Sequence, residues 1–352
     1  MDLTHVKSLL KGVLNIYSVS GGEGELAKYL HGVLSSSGID SWIDQAGNVI
    51  GVKGRGPRVL WLHAHMDTVP GFIEVREEGD LVYGRGAVDD KGPLVSMLAA
   101  FMELDPDVKL VLTLVTDEEG DSKGSLTLIE EDLPKPDGII VGEPTGMHIA
   151  YAYRGSARVR ILCRGEGGHA AGPNALNNPI LKAYDAYNGL VARLGNGQSS
   201  STYTIVPTVI RCGDHPAKVP EECLMIVNVR IPVNSSCVEL KNAVNDLQCV
   251  YIDDCLDPIV ADVNNPVIRA LVRASILNGI KPTLSRKLGT SDMAILARLT
   301  KNLAAYGPGD PSLSHGPIEY ISINEVVKAS EVIKTAVVEF GKLIKAHNNT
   351  PS

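Results

Sequence analysis

Strand-like and helix-like patterns alternate through residues 1–150, and this rhythm constrains the fold more than any other feature of the chain. Arg58–His63 (RVLWLH) is a short apolar run with β-branched and aromatic content, so it reads as a buried strand. Lys91–Leu104 (KGPLVSMLAAFMEL) sets Leu94, Leu98 and Met102 at helical spacing. Lys109–Val115 (KLVLTLV) is a second strand, and Ser122–Glu130 suits a helix opened by a serine cap. Gly138–Val141 is a third strand. Strand, helix and strand in this order predict a mainly parallel sheet with helices on both faces, an α/β fold.

The rhythm changes near Tyr151. Ala157–Cys163, Tyr203–Cys212, Leu224–Ile231 and Val250–Ile252 read as strands, with helices over Asn178–Leu194 and Cys237–Leu247. That order, βαββαβ, is the split motif of a small ferredoxin-like α+β unit. Helical patterns return after Pro266, followed by the apolar stretch Leu303–Tyr306. A chain of 352 residues is also longer than one hydrophobic core usually organises. The expected architecture is a catalytic domain built from residues 1–150 and 263–352, with the α+β unit, 151–262, inserted.

Composition removes several function classes. The net charge of -8 argues against a nucleic-acid binder, which needs a basic face. No apolar run approaches the roughly 20 residues that span a bilayer, so no membrane partner is expected. The opening MDLTHVKSLLKGVLNIYSV is interrupted by Lys7 and Lys11 and reads as an amphipathic helix rather than a signal peptide, which predicts a cytoplasmic protein. Six cysteines (Cys163, Cys212, Cys223, Cys237, Cys249 and Cys255) all lie in the middle third, and none forms a CxxC pair. In a cytosolic chain they are expected to be reduced and mostly buried; disulfides would fit a hyperthermophilic source.

The chemistry lies at the strand ends. His65 and Asp67 follow the first buried strand in HAHMDTVP, and Asp89 and Asp90 follow in GRGAVDDKG. Glu118 and Glu119 follow the second strand in TDEEG, and Glu143 follows the third in VGEPTG. In an open parallel sheet the loops after the carboxyl ends of the strands converge on one crevice. So much negative charge in one cleft repels itself unless a cation neutralises it. Imidazole and carboxylate donors without thiolate suit zinc or manganese. Each fragment alone is ordinary: a strand end, a solvated turn, a loop. Their joint occurrence, in order and at strand ends, points to a metal centre. His63 lies two residues before His65 on the strand and reads as a packing residue or one that supports the site from behind, not a ligand, while His5, His31, His148 and His347 carry no signal beyond surface exposure.

These motifs resemble the co-catalytic zinc metallopeptidase family that includes acetylornithine deacetylase, succinyl-diaminopimelate desuccinylase and the aminoacylases. HMDTVP, YGRGAVDDKG, TDEEG, GEP, GGHAAGP, VRIP, GTSD and SHGPIEY carry the resemblance in order along nearly the whole chain. Length and the wording GRGAVDDKGPL are most similar to members that release lysine or ornithine from an acidic amino-group carrier protein. The resemblance implies two zinc ions, with cobalt or manganese able to substitute. His65 and Glu143 would hold one ion, Glu119 and His315 the other, and Asp89 would bridge them. Glu118 would be the general base. Asp67 would bond the far nitrogen of His65, and the Asp89–Asp90 peptide would be cis.

The resemblance extends to the inserted unit, 151–262, which it implies to be a lid and dimerisation domain. His169 in EGGHAAGP is similar to the family's lid histidine, which stabilises the oxyanion and often comes from the partner subunit of a dimer. Gly289, Thr290 and Ser291 of GTSD match the family's substrate loop, Arg230 its carboxylate-binding arginine, and Arg154 in YRGS is a weaker candidate of that kind. One departure stands out: family members often carry Asn before Val-Ile-Pro at the lid's substrate-facing turn, whereas HPAKVPEE has Lys218 there, which leaves substrate identity open. Two alternatives stay open at this level. One is an acetylornithine- or succinyl-diaminopimelate-type deacylase or small peptidase. The other is a metal-bound amino-acid binding protein without turnover, which would have no need of a free Glu118 beside Glu119.

Overall fold

The structure is a computed structural model and describes residues 2–173 and 175–347. It separates into two compact units. One comprises Met1–Tyr151, Ala261–Ser285 and Ser291–Ser352; the other comprises Ala152–Val260 and Arg286–Thr290. The segment Arg286–Thr290, which holds the first two residues of GTSD, thus groups with the inserted unit rather than with the chain around it.

The first unit is organised by four adjacent parallel strands, in the order Lys109–Val115, Val59–His65, Gly138–Val141 and Leu303–Ala305. Strands outside these four pair antiparallel: Val49–Lys53 and Asp40–Ile43 on one side, Ile149–Tyr153 on the other. The sheet is therefore mixed, with its parallel part at the centre. Every residue of Val59–His65 is buried, as expected of a strand covered on both faces. The helix Lys91–Glu103 packs on that strand and against the long helix Ile323–His347. Burial along Lys91–Phe101 is continuous, so this helix belongs to the core rather than to an amphipathic surface layer.

One expected cap is absent. The helix Lys123–Glu130 follows Ser122 as predicted, but the Ser122 hydroxyl makes no capping bond and its backbone is left-handed, with φ 54°. The loop is closed instead by the backbone: the Ser122 N–H donates to the Asp117 carbonyl and the Gly124 N–H to the Thr116 carbonyl. Glycine is required at 124, because a Cβ there would meet the Asn48 side chain and the Thr116 backbone at 2.4–2.7 Å.

The second unit is a four-stranded antiparallel sheet in the order Thr204–Cys212, Glu222–Ile231, Gly155–Arg164 and Val250–Leu256. Helices Pro179–Leu194 and Cys237–Val244 complete the βαββαβ pattern. Gly155–Arg164 and Glu222–Ile231 bury every second residue, so one face of the sheet is core. Val159, Ile161, Val227 and Val229 from the sheet meet Leu190 and Leu240 from the helices in that core.

The cysteines depart from the reduced state expected of them. All six pair within this unit, as Cys163–Cys249, Cys212–Cys223 and Cys237–Cys255. Cys212 and Cys223 are direct partners in the strand register, a relationship that spacing alone does not reveal. No helix among the described residues is long and apolar enough to cross a membrane.

Candidate metal centre

His65 closes the strand Val59–His65 and is fixed on three sides. Its backbone N–H donates to Asp90 Oδ2 at 3.1 Å, and its Nδ1 lies 3.0 Å from the Asp67 carbonyl. Its Nε2 faces Asp89 Oδ1 at 3.2 Å. The second Asp89 oxygen, Oδ2, lies 3.4 Å from His315 Nε2. That nitrogen is in turn 2.5 Å from Glu119 Oε1. Asp89 therefore presents one oxygen to each imidazole. The donor atoms fall into overlapping sets, His65–Asp89–Asp90, Asp89–Glu119–His315 and His65–Glu118–Glu119, within each of which they lie no more than 4.8 Å apart.

Glu143 is buried at the end of Gly138–Val141 and lies outside those three donor sets. Burial, reinforced by the charge of Asp89, pushes its carboxyl up to about 8, although a bond from Ser291 opposes the shift. Burial likewise raises Glu118 and Asp90 well above the usual carboxylate range. Burial also works against the Asp89 anion, but bonds from His315 and His65 outweigh it and hold that carboxyl below its ordinary value. Bonds to Asp89 and Glu119 push the His315 imidazole up to about 10. Without a cation the site thus retains protons on both sides of neutrality. A divalent ion would displace them, because imidazole and carboxylate bind it deprotonated. Asp90 Oδ1 is buried without a hydrogen-bond partner, a further sign that the donor set fits a cation.

Asp67 faces the far nitrogen of His65, as expected, and also does more. The nearest partner of the far nitrogen of His65 is the Asp67 backbone carbonyl, with a carboxylate oxygen farther off at 3.4 Å. The carboxylate's closer bonds come from the N–H groups of Glu118 and Glu119, each at 3.0 Å, and from the Ser20 hydroxyl at 2.6 Å. Asp67 therefore fixes the backbone of the two glutamates as well as the ring of His65. His63, expected as a packing or supporting residue and not a ligand, is buried between Thr113 Oγ1 at 2.9 Å and Asp292 Oδ2 at 3.1 Å. Ser125 donates to the same Asp292 oxygen.

In the second unit, Arg230 Nη1 donates to Thr290 Oγ1 at 2.8 Å. The Arg154 guanidinium donates to the Leu288 carbonyl and Thr204 Oγ1, and its backbone N–H to the Gly289 carbonyl. Arg154 is buried and holds the Leu288–Gly289 backbone in place, a strut rather than an open anion binder. Ser291 belongs to the first unit and bonds Glu143 there. His169 is exposed on a two-residue strand whose register partner is Lys218. Its Nδ1 accepts from the Ala171 N–H, which leaves Nε2 to carry the proton.

Sequence reasoning assigned no role to Ser20, Arg85 or Glu319. Signals existed for two of them: Arg85 lies inside YGRGAVDDKG, four residues before Asp89, and Glu319 inside SHGPIEY, four residues after His315.

A partly parallel sheet whose strand ends gather paired imidazoles around a shared carboxylate defines a metallopeptidase-type hydrolase. The chain belongs to peptidase family M20/M25/M40, whose model matches residues 61–339. A Pyrobaculum aerophilum protein provisionally named LysW-lysine/LysW-ornithine hydrolase is 49% identical over 336 residues, covering 96% of this chain and 98% of that protein. A Sulfurisphaera tokodaii LysW-lysine/LysW-ornithine hydrolase is 33% identical over 339 residues, covering 95% of each. The fold is shared with an M20 family metallo-carboxypeptidase from Sulfolobus solfataricus (TM-score 0.81, 19% identity, 97% of this chain and 99% of that one). It is shared equally with a Staphylococcus aureus tripeptidase (TM-score 0.82, 16% identity, the same coverage).

Proposed function

We propose that this chain is a zinc-dependent amide hydrolase of amino-acid biosynthesis that releases lysine or ornithine from a carrier-protein-linked precursor. The observation that carries the reading is the placement of Asp89, one oxygen toward His65 and the other toward His315, with Glu118 beside them. The names of the full-length relatives support the substrate class.

His65 and Glu143 would hold one ion, Glu119 and His315 the other, with Asp89 between them. Two such ions would supply Lewis-acid chemistry, polarising a scissile carbonyl and making water a nucleophile near neutral pH. Glu118 accepts the proton of the attacking water and returns it to the leaving amine, as reversibility requires of a base. Burial raises its carboxyl, which suits a group that must both take and give a proton near neutrality. Asp67 holds the Glu118 and Glu119 amides, so base and ligand keep a fixed relative position. His169 keeps an Nε2–H donor, which fits the oxyanion role carried over by position, from its own or a partner subunit. Gly289, Thr290, Ser291 and Arg230 would contact the substrate, and Arg154 would hold their loop. The carrier would be an acidic protein, and the enzyme cytoplasmic.

The test is a substrate panel: carrier-linked, acetylated and succinylated lysine and ornithine, presented to metal-free protein supplemented with zinc, cobalt or manganese. Preferential release from the carrier-linked forms is the expected outcome. Preference for an acetyl or succinyl substrate would reassign the chain to the corresponding deacylase, and metal binding without any hydrolysis would overturn the enzymatic reading.

A further inference from the structure

The loop that carries Asp89 and the loop that carries His315 hold each other through one reciprocal pair of side chains. Glu319 is 1% exposed, and its carboxylate is fully occupied. Oε1 accepts the N–H groups of Val88 and Asp89, each at 2.9 Å. Oε2 accepts the Gly86 N–H at 2.9 Å and Arg85 Nη1 at 3.1 Å. Arg85 reaches in the opposite direction. Its Nη2 donates to the carbonyl of Gly316, the neighbour of His315, at 3.0 Å, and its Nε to the Gly71 carbonyl at 2.8 Å. Each loop thus presents a metal donor and grips the backbone of the other.

A buried carboxylate that accepts three amides and a guanidinium leaves no polar group unsatisfied, and its geometry is charge-assisted. It also spans the gap that matters. The segment Gly86–Asp89 ends at the shared donor, and Gly316 follows the imidazole it must face. Helix or strand hydrogen bonding would fix such a loop elsewhere; here the side chain of Glu319 does so. His315 itself has a left-handed backbone with φ 62°, so its loop is held in a conformation that side-chain-bearing residues adopt rarely.

We propose that Arg85 and Glu319 form a positioning clasp that sets the separation of Asp89 and His315, and so selectively tunes the cation site formed by Asp89, Glu119 and His315. This rests on the metal reading of the site. Both sets share Asp89, whose N–H Glu319 accepts, but the other imidazole, His65, is anchored independently by its own strand and by Asp67 and Asp90, so the distinctive effect of the clasp falls on the set that includes His315.

The experiment is a calorimetric titration of metal-free protein with zinc, comparing wild type with Glu319→Gln and Arg85→Lys. Glu319→Gln retains the shape but loses the charge and half of the acceptor capacity. Arg85→Lys retains charge but cannot serve two carbonyls and the carboxylate at once. Both variants are expected to bind the first ion as wild type does and the second roughly 10- to 100-fold more weakly, the range found when a partner behind a metal ligand is removed. Excess zinc should then restore turnover with KM unchanged. Equal weakening of both ions together with a lower melting temperature of the metal-free protein would reduce the pair to a general structural element and overturn the proposal. Unchanged second-ion affinity in both variants would overturn it too. Failure of the wild type to take up two ions would instead sink the metal reading on which it stands.

Discussion

His315 Nε2 lies 2.5 Å from Glu119 Oε1 although 196 positions separate the two residues in the chain. Asp89 Oδ2 is 3.4 Å from the same nitrogen. A chelator should therefore remove activity, and metal-free protein should recover it with zinc, cobalt or manganese. Elemental analysis is expected to find two ions per chain in the wild type, one in His315→Ala and fewer than one in Asp89→Ala, because Asp89 serves both sites. Full metal content in Asp89→Ala would remove it from the bridging position.

Glu118→Gln should retain both ions and lose turnover by roughly 10²- to 10⁴-fold, the usual contribution of a positioned base. Kinetics and metal content measured on the same preparation decide this. Activity near the wild-type level would transfer the role to another group.

Asp67→Ala deprives the Glu118 and Glu119 amides of their common acceptor. Each abandoned donor is part-buried and costs at most about 1–3 kcal/mol. Activity should fall more than metal content, since His65 retains the Asp67 backbone carbonyl at Nδ1. A proportional loss of zinc and activity would show instead that the carboxylate acts chiefly on His65.

The metal-free protein should lose stability as pH rises. Bonds to Asp89 and Glu119 raise His315 from 6.5 to about 10, so its stabilising contribution is complete below about 6.5 and is lost as pH climbs through 10. Burial, with the charge of Asp89, raises Glu143 from 4.5 to about 8, so the folded state holds that proton longer than the unfolded chain does and loses ground between those values. Both trends have the same sign. Thermal melts from pH 6 to 10 should fall for metal-free protein and stay flatter with zinc bound, because the ion replaces the protons. A melting temperature of the metal-free form that rises across this range would contradict the assignment.

The three disulfides should be detectable as an absence of titratable thiol in unfolded, unreduced protein. Reduction should destabilise the inserted unit, by about 2–4 kcal/mol for a bridge such as Cys163–Cys249, which closes a long loop. Six reactive thiols would restore the reduced state that composition suggested.

Much of the fold was legible beforehand because its signals are local. The apolar strand read at 58–63, the helix read at 91–104 and the βαββαβ order are written in short-range patterns, and His65, Glu119 and Glu143 stand at or soon after strand ends; His315, in the loop after Pro311–Leu313, was found only through the motif around it. The serine cap failed because a left-handed Ser122 satisfies its loop through backbone bonds that no residue preference encodes.

By itself the sequence determined which side chains sit at the strand ends and which family they match. Tertiary structure alone decided the contacts: Cys212 opposite Cys223, the Asp67 carboxylate on two distant amides, and Glu319 on the backbone of Gly86–Asp89. The reason is physical. Propensity and periodicity act over a few residues, whereas these bonds join segments whose meeting depends on strand register and on how loops are packed.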